Sequence, residues 1–451
     1  SLIIFWLGSV RDLTFSVVFA ILGRRMMRAY EPIWAKKTVQ TPRFVLLYCT
    51  YNDFNAKALS FCMRQDYENF ETVILDDSTT AECKEEIDRF AKENGISVVR
   101  RKDRVHYKAG NLNHYLKDRV DYDYFVVLDS DERIPPDFIR RSLRYFAHDE
   151  KIGAVQARHV ASRGHNAFQR LLGLSVESTG RTAQVVKNFY GSNALLGHGM
   201  AISLDCYRAS GGFPPVVAED ISFAVQIKDA GYEIVYAPDI VCEEEFPSDY
   251  VSLKKRQCKW TQGNLEYMQK YNASIIGSKL RWFEKLDMIL SHYMLPITPI
   301  LSLVLVLSNI LLGFFDYAVI EHTVFIYSLM FLFLLSPLIP DVFVYGATKK
   351  AFLLIPYFAV NIVTYASMAP MMIATVFRGA LGKKAVFLVT PKDSRLFSVR
   401  EIIRFSWDSI YFAIFIGALC FLSCGTIFPA FLVVGSCALA PFVIALSNVK
   451  A

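Results

Sequence analysis

Apolar residues are distributed very unevenly along this chain of 451 residues, and this asymmetry limits its architecture more than any other feature. Long apolar runs occupy the first 23 residues and the region after residue 290, whereas residues 41–270 carry most of the acids and bases. With 53% hydrophobic and 20% charged residues, the chain is too apolar for an ordinary soluble protein of this length. The sequence therefore predicts a soluble domain inserted between membrane segments.

The net charge of +6 does not indicate a nucleic-acid partner, because many of the bases lie beside the ends of apolar runs. Such a distribution is typical of membrane flanks that face the cytosol. It predicts an integral membrane protein whose central domain is cytosolic, in a plasma or inner membrane. The bases that support this orientation are Arg24, Arg25, Arg28, Lys349, Lys350, Arg378, Lys383 and Lys384.

The nine cysteines contain no Cys-x-x-Cys pair and lack the His/Cys spacing of a zinc site. We therefore expect reduced thiols rather than disulfides or cysteine-based zinc ligands.

Hydropathy and charge divide the chain into six regions. The apolar stretch 351–377 lies between basic flanks and contains Pro356 and Pro370. A single crossing would place those flanks on opposite sides, so we expect this stretch to be re-entrant or interfacial. The predicted regions are 1–40, transmembrane with a cytosolic flank; 41–246, the cytosolic domain; 247–292, amphipathic interfacial helices; 293–383, transmembrane helices with the re-entrant segment; 384–406, a basic cytosolic segment; and 407–451, a transmembrane hairpin.

Short apolar strands alternate with amphipathic stretches through the cytosolic domain. This alternation predicts an α/β fold with a mostly parallel sheet and a ligand site beyond the carboxyl ends of its strands. Acidic residues follow two of these strands, at Asp76-Asp77 and at Asp129-Ser130-Asp131. The second pair has the chemistry to hold Mg²⁺ or Mn²⁺ together with substrate phosphates.

Three further motifs carry chemistry, and each has a structural alternative. Lys108 precedes a glycine that would let the backbone approach a phosphate, although a simple helix start explains it equally well. Glu219-Asp220 would supply a general base or merely cap a helix. Trp260 offers a flat face for a sugar ring or an anchor at the membrane interface.

In order along the chain stand Asp76-Asp77, Lys108-Ala-Gly-Asn, Asp129-x-Asp131, Glu219-Asp220 and Gln257-Cys258-Lys259-Trp260. Together they resemble the cellulose synthase and hyaluronan synthase group of processive family 2 glycosyltransferases, whose marks are D, DxD, TED and QxxRW. The run Phe387-Leu-Val-Thr-Pro-Lys392 is similar to the FxVTxK gating loop of cellulose synthases. Ala218 stands where the family has Thr, and Lys259 stands where it has Arg.

The resemblance implies a GT-A catalytic domain over 41–246, a QxxRW-type motif in 247–292, and a gating loop with an interfacial helix in 384–406. It also implies a role for each site residue. Nucleotide binding would fall to Tyr51, Asp76, Asp77, Lys108, Asp129, Asp131, Lys259, Thr390 and Lys392; metal binding to Asp129 and Asp131; catalysis to Asp220 with Glu219; and acceptor binding to His198, Gln257 and Trp260.

The expected activity is that of a metal-dependent hexosyltransferase that polymerises a UDP-sugar, favoured as UDP-glucose, into a β-linked polysaccharide and translocates it. A single carboxylate base predicts one inverting displacement. A UDP-N-acetylglucosamine-using synthase of hyaluronan or chitin type and a single-transfer polyprenyl-phosphate glycosyltransferase stay open as competing hypotheses. The partners expected are the donor, the growing polysaccharide and the bilayer, with a homo-oligomer or accessory export subunits also open.

Overall fold

The computed structural model describes residues 2–216, 218–315, 324–382 and 395–450. Within these ranges one sheet of seven strands has the order β3-β2-β1-β4-β6-β5-β7. All pairs are parallel except those made by β6, which is antiparallel to both its neighbours. This confirms the predicted mostly parallel α/β fold. The strands are β1 Phe44–Thr50, β2 Phe70–Asp76, β3 Ser97–Arg100, β4 Tyr124–Leu128, β5 Ile152–Ala161, β6 Met200–Ser203 and β7 Glu233–Glu244.

Both faces of the sheet are covered, which explains why the strands are continuous apolar runs. Along β1, Leu46 and Tyr48 enter one core cluster, whereas Val45 and Leu47 enter the other. Successive side chains of a strand point to opposite faces, so an interior strand must be apolar at every position. The helices of this domain are α2 Glu31–Trp34, α3 Ala56–Cys62, α4 Ala81–Asn94, α5 Tyr107–Leu116, α6 Phe138–Phe146, α7 Ala167–Leu172, α8 Leu174–Arg181, α9 Ala183–Tyr190, α10 Leu204–Ala209 and α11 Glu219–Asp229.

Strand β6 determines which residues meet at the site. It is antiparallel to β4, with Val127 opposite Met200. The turn that leads into β6 therefore lies beside the end of β4, where Asp129 begins the acidic turn. This brings Gly197-His198-Gly199 to the carboxyl edge of the parallel strands, although almost 70 residues separate the two segments.

In the part of the chain that the structure describes, five helical stretches are long and apolar enough to cross a membrane: Trp6–Trp34, Trp282–Gly313, Ala351–Ala380, Val399–Cys424 and Phe428–Asn448. The remaining helices are α1 Leu2–Arg28, α12 Tyr250–Gly277, α13 Trp282–Gly313, α14 Val324–Leu335, α15 Ile339–Tyr345, α16 Leu354–Ser367, α17 Ala369–Ala380, α18 Val399–Cys424, α19 Phe431–Ala438 and α20 Ala440–Ala445; short 3₁₀ turns span Ser336–Leu338, Ala351–Leu353, Phe428–Ala430 and Leu446–Asn448.

Polar residues inside the first apolar run do not interrupt its helix. Arg11 donates from Nε to Asp287 Oδ1 of α13 at 2.7 Å, so a partner in a neighbouring helix compensates its charge. Helix α13 runs without a break across the predicted boundary at residue 292. Pro356 lies in the first turn of α16, whereas Pro370 lies at the start of α17. The absence of a net crossing by 351–377 remains a prediction.

Candidate active site

The acidic turn after β4 forms the centre of the site. Lys108, in the first turn of α5, contacts Asp129 Oδ1 and donates to the carbonyl of Gly197 at 2.7 Å. Burial opposes the charge of Lys108, but the Asp129 carboxylate raises its pKa above the ordinary value. One ammonium thus joins the turn after β4 to the turn before β6.

A residue that no sequence motif indicated holds this turn in place. Asp53, in the loop after β1, accepts from Ser130 Oγ at 2.6 Å through one carboxylate oxygen. Its other oxygen accepts from Thr50 Oγ1 and from the Tyr51 amide. Because Ser130 separates the two acids, Asp53 fixes the backbone between them. The one sequence signal for Asp53 was its position just after the first strand.

Asp129 and Asp131 provide a donor set that suits a hard divalent cation. Both are carboxylates at one strand end, and the Asp129 side chain is 39% exposed towards solvent. Asp131 Oδ2 accepts from the Glu245 amide at 3.2 Å, which orients that carboxylate from the end of β7. Mg²⁺ and Mn²⁺ are commonly held by one or two carboxylates shared with substrate phosphates, and these residues fit that pattern.

Glu219 and Asp220 begin α11 and approach the same centre through Gly197. The backbone of Gly197 has φ +90°, and a Cβ there would lie 3.3 Å from Asp220 Oδ2. Gly197 therefore lies beside Asp220 of α11, and its carbonyl accepts from Lys108, which in turn contacts Asp129. The sequence-predicted acids and lysine do converge on one site.

The carboxylates of Glu219 and Asp220 are harder to ionise than isolated acids. Burial, with the neighbouring Asp220 charge acting in the same direction, raises the pKa of Glu219 to about 7. The pKa of Asp220 is also raised by burial, although Lys108 and Lys259 oppose this. Asp220 Oδ1 accepts from the Ile221 amide at 2.9 Å, so it interacts with its own helix end while its other oxygen faces Gly197.

Lys259 reaches the acids from α12, a segment far from Lys108 in the chain. Burial lowers the pKa of Lys259, whereas Asp129 and Glu219 act to keep it charged. Two lysines from distant segments therefore face the same acidic centre. A site with this charge distribution suits a strongly anionic ligand such as a diphosphate.

The motif on α12 has a different spacing from the one assigned to it from the sequence. QxxRW places its Gln four residues before the Trp, but Gln257 lies only three residues before Trp260. Arg256 occupies the equivalent position, so the assignment of Gln257 to the motif is corrected. Gln257 is buried, whereas the guanidinium of Arg256 lies 4.6 Å from the Trp260 ring centroid.

The acids after β2 are held by arginines at the end of β3 and just beyond it. Arg101 donates two bonds to Asp77, at 2.8 and 2.7 Å, while Arg100 donates to Asp76 at 2.6 Å. Neither acid caps α4. The chain entering that helix is held by Asn52, whose side-chain oxygen accepts from the amides of residues 79 and 80.

The ring of Tyr51 lies at the same edge and is covered by a cation. The guanidinium carbon of Arg104 is 3.2 Å from the Tyr51 ring centroid. The motif around Lys108 suggested that the backbone of Gly110 approaches a phosphate. The structure gives this glycine a packing role instead. A Cβ at Gly110 would collide with the carbonyl of Val105, so the glycine allows α5 to pack against the Arg101–Val105 loop.

Residues 124–340 match the family described as "Glycosyl transferase family group 2". A glucomannan 4-beta-mannosyltransferase 7 of Arabidopsis thaliana is 29% identical over 219 residues, which cover 46% of this chain and 39% of the relative. The chain carries a family 2 glycosyltransferase domain. The family match contains the acidic turn, the Glu219-Asp220 pair and helix α12.

A solved structure supports the fold of this glycosyltransferase domain. The mannosyltransferase PcManGT from Pyrobaculum calidifontis, in complex with GDP-Man and Mn²⁺, has a TM-score of 0.51 at 19% identity, covering 83% of this chain and all of the other. At this identity the likeness shows the GT-A-like fold alone. The chain spans about two fifths of the length of its plant relative, so that relative's activity does not by itself assign a substrate.

His198 of the glycosyltransferase domain is partly buried between two glutamates, and its role at the acceptor stays a prediction. Its Nδ1 is 3.2 Å from Glu132 Oε1 and its Nε2 is 3.3 Å from Glu244 Oε2. Burial opposes its charge, but the glutamates raise the pKa of His198 to about 10. The sequence pattern gave no reason to connect Glu132 or Glu244 with it.

Thr390 and Lys392, with the whole gating-loop motif 387–392, lie outside the described residues. Their closure over the nucleotide stays a prediction. All nine cysteines lie in the described ranges and are free thiols, as the sequence predicted.

Proposed function

We propose that this chain is a membrane-integrated, inverting hexosyltransferase that polymerises a nucleotide-activated sugar into a β-linked polysaccharide and passes it across the membrane. The observation that carries the proposal is the position of Gly197, which lies beside Asp220 and accepts from Lys108 through its carbonyl. It connects Asp220, as the base, to Lys108 and Asp129, where the donor diphosphate would lie. A base placed beside a diphosphate site is what sugar transfer to a hydroxyl requires.

In the proposed reaction the acceptor hydroxyl gives its proton to Asp220. The hydroxyl oxygen then bonds to the anomeric carbon as the bond from that carbon to the diphosphate breaks, and the nucleoside diphosphate leaves. A divalent cation held by Asp129 and Asp131 would neutralise charge on the diphosphate. Lys259 reaches the same region and holds part of the leaving charge. One displacement converts an α-linked donor into a β-linked product.

Helix α12 supports an acceptor path from this site towards the membrane helices. Its Trp260 ring is 45% exposed and presents a flat apolar face on which a sugar ring stacks. The same helix carries Lys259, so acceptor end and leaving group would meet along one helix. Processive transfer and export through the apolar helices are further parts of the proposal.

The donor is proposed as UDP-glucose, because the sequence 387–392 is most similar to cellulose synthase loops. GDP-mannose is the second candidate, since both relatives are named as mannosyltransferases and one was solved with GDP-Man. Two further hypotheses stay open: UDP-N-acetylglucosamine as the donor, and a single transfer to a polyprenyl phosphate.

The test is to incubate purified full-length protein in nanodiscs with UDP-glucose, GDP-mannose or UDP-N-acetylglucosamine, each with Mg²⁺ or Mn²⁺. Nucleoside diphosphate release and linkage analysis of the product are the readouts. We expect a β-linked polymer from one donor, loss of activity in EDTA, and loss in Asp220→Asn. A lipid-linked single sugar, or no release from any donor, would overturn the proposal.

A further inference from the structure

Four side chains form a buried cluster beside the acidic turn, which we call the His–Glu cluster: Glu132, His159, His198 and Glu244. Glu132 follows the acidic turn after β4, and His159 belongs to β5. His198 lies in the turn before β6, and Glu244 ends β7. None of the four is needed by the proposed transfer chemistry.

The two histidines lie between the two carboxylates. Their rings are stacked with centroids 4.4 Å apart and planes 5° apart. On one edge, Glu132 Oε1 lies 3.5 Å from His159 Nε2 and 3.2 Å from His198 Nδ1. On the other edge, Glu244 Oε2 lies 3.4 and 3.3 Å from the remaining ring nitrogens.

The edge of the rings that faces Glu132, which we call the inner edge, lacks hydrogen bonds. Glu132 Oε1, His159 Nε2 and His198 Nδ1 are all buried, and none makes a hydrogen bond despite their short separations. Glu132 is fully buried and His159 is 6% exposed. Buried polar atoms without a hydrogen-bond partner are rare in native proteins, and an ion is one established explanation. Three such atoms that face one another define a cation site.

The donor set and the two distances from Glu132 suit a borderline metal ion such as Zn²⁺, and all three ligand atoms lie within 4.8 Å of one another. Zinc binds histidine nitrogen and carboxylate oxygen at about 2.0–2.2 Å in tetrahedral geometry. Adjacent ligands of such a tetrahedron are about 3.3 Å apart by that bond length, close to the 3.2 and 3.5 Å observed here. Mg²⁺ prefers an oxygen shell, so this site differs in chemistry from the Asp129–Asp131 pair.

Glu244, the carboxylate on the other edge of the rings, lies where it can orient the two histidines. Metal-bound histidines usually donate their second ring N–H to a carboxylate, which fixes ring orientation, and Glu244 lies beside both second nitrogens. Gly199 leaves room for the inner edge, since a Cβ there would collide with Glu132 Oε1 and lie 2.5 Å from His159 Nε2. The Gly199 amide also donates to Glu132 Oε2 at 2.9 Å.

We propose that Glu132, His159 and His198 bind one Zn²⁺-class ion, oriented by Glu244, separate from the donor-site cation. Binding turns the two stacked rings so that their nitrogen lone pairs converge on the ion. The ion ties three segments together at His198, next to Gly197, whose carbonyl holds Lys108. It therefore stabilises the turn on which the proposed base and the diphosphate site both depend.

The test uses full-length protein purified in metal-depleted buffer and loaded with Zn²⁺ or Co²⁺. We expect about one tightly bound zinc per chain by elemental analysis and the intense visible absorption of four-coordinate Co²⁺. His159→Ala and Glu132→Gln should abolish both signals. Glu244→Gln should keep the site but weaken binding by about 10–100-fold, as changes in groups that orient metal ligands do elsewhere.

Asp131→Asn is the matched control, because it removes a carboxylate one residue from Glu132 but outside the cluster. It should retain zinc and the Co²⁺ spectrum even if transfer activity is lost, which separates this proposal from the proposed function. Zn²⁺ should also raise the unfolding temperature of wild type but not of His159→Ala. Wild-type protein that binds no zinc and gains no thermal stability from it would overturn the site and leave an ion-pair network.

Discussion

The Asp220 carboxylate lies so close to the backbone of Gly197 that a side chain there would make a tight contact with it. Gly197 has φ +90° and a Cβ would stand 3.3 Å from Asp220 Oδ2. Most of the site's geometry passes through this one contact, because the Gly197 carbonyl also accepts from Lys108 at 2.7 Å.

Gly197→Ala should abolish transfer while leaving the fold intact. Alanine at a positive φ costs about 1–2 kcal/mol, and its methyl group would push Asp220 away from the acceptor. Gly231→Ala is the matched control, since Gly231 has φ +91° with nothing within 4 Å of a Cβ. Both variants should lose similar stability in thermal unfolding, but only Gly197→Ala should lose activity. Equal activity in the two variants would mean that the function of Asp220 does not depend on a glycine at position 197.

The pH profile should report the Glu219–Asp220 pair. Burial raises the pKa of both carboxylates, that of Glu219 to about 7, and the base must be ionised to accept a proton. Activity should therefore rise with pH through an apparent pKa above that of an isolated aspartate. Glu219→Gln removes a like charge beside Asp220, so the acidic limb of kcat/KM should move to lower pH. A limb that stays in place would mean that the two acids do not titrate together.

Asp53 should matter for activity although it lies outside every sequence motif. Asp53→Ala removes the acceptor for Ser130 Oγ and for the Tyr51 amide, so the acidic turn loses the hydrogen bonds that hold it in place. We expect KM for the donor and the Mn²⁺ requirement to rise by about 10-fold, comparable to the effect of orienting contacts at metal sites. Asp205→Ala is the control, since that side chain is 85% exposed. An unchanged KM in Asp53→Ala would show that the acidic turn keeps its conformation without Asp53.

The sheet was predictable from sequence where its strands are buried on both faces. Strands such as Phe44–Thr50 and Tyr124–Leu128 are apolar at nearly every position. Strand β7, Glu233–Glu244, was not among the predicted strands, and neither was β6, Met200–Ser203. The antiparallel insertion of β6 between β4 and β5 depends on long-range pairing, which local pattern does not encode.

The same reasoning separates the site residues that were found from those that were missed. Lys108, Asp129 and Asp220 were recognised because each stands in a motif. Arg101 was missed because its role is to pair with Asp77 across two strands. The cluster of Glu132 and His159 arises only when distant segments meet, so no spacing in the sequence indicates it.

The topology of 351–380 can be tested by labelling. Its helices are together long enough to span a membrane, whereas the basic flanks predict no net crossing. Single cysteines placed at Lys349 and at Lys384, in a chain whose native cysteines are replaced, should both react only from the cytosolic side. A cysteine at exposed Asp205, in the domain predicted to be cytosolic, gives the reference. Labelling of the Lys384 position from outside would mean that the segment crosses and that the gating-loop assignment is wrong.

Arg256 should control how the acceptor is held. Its guanidinium lies 4.9 Å from the Phe246 ring and 4.6 Å from the Trp260 ring, and burial lowers its pKa. A cation over an aromatic face contributes about 0.5–2 kcal/mol, depending on how far the pair is desolvated, so we expect this residue to orient the Trp260 indole. Arg256→Gln places the family's Gln at this position but removes the cation. We expect donor hydrolysis to stay nearly unchanged, because the diphosphate site stays intact. The polymer should be shorter, because the Trp260 indole no longer has a fixed orientation for stacking on the acceptor sugar.

Two further variants separate the orientation of Trp260 from simple packing. Arg256→Lys should retain part of the polymer length, since the charge is kept but the planar stacking is lost. Arg395 offers a matched control, as its guanidinium also lies over two rings, at 4.6 Å from Phe397 and 5.3 Å from Phe405. Arg395→Gln should match the stability loss of Arg256→Gln and leave product length unchanged. Product of wild-type length from Arg256→Gln would assign Arg256 to packing alone, because the indole would then hold its orientation without the cation.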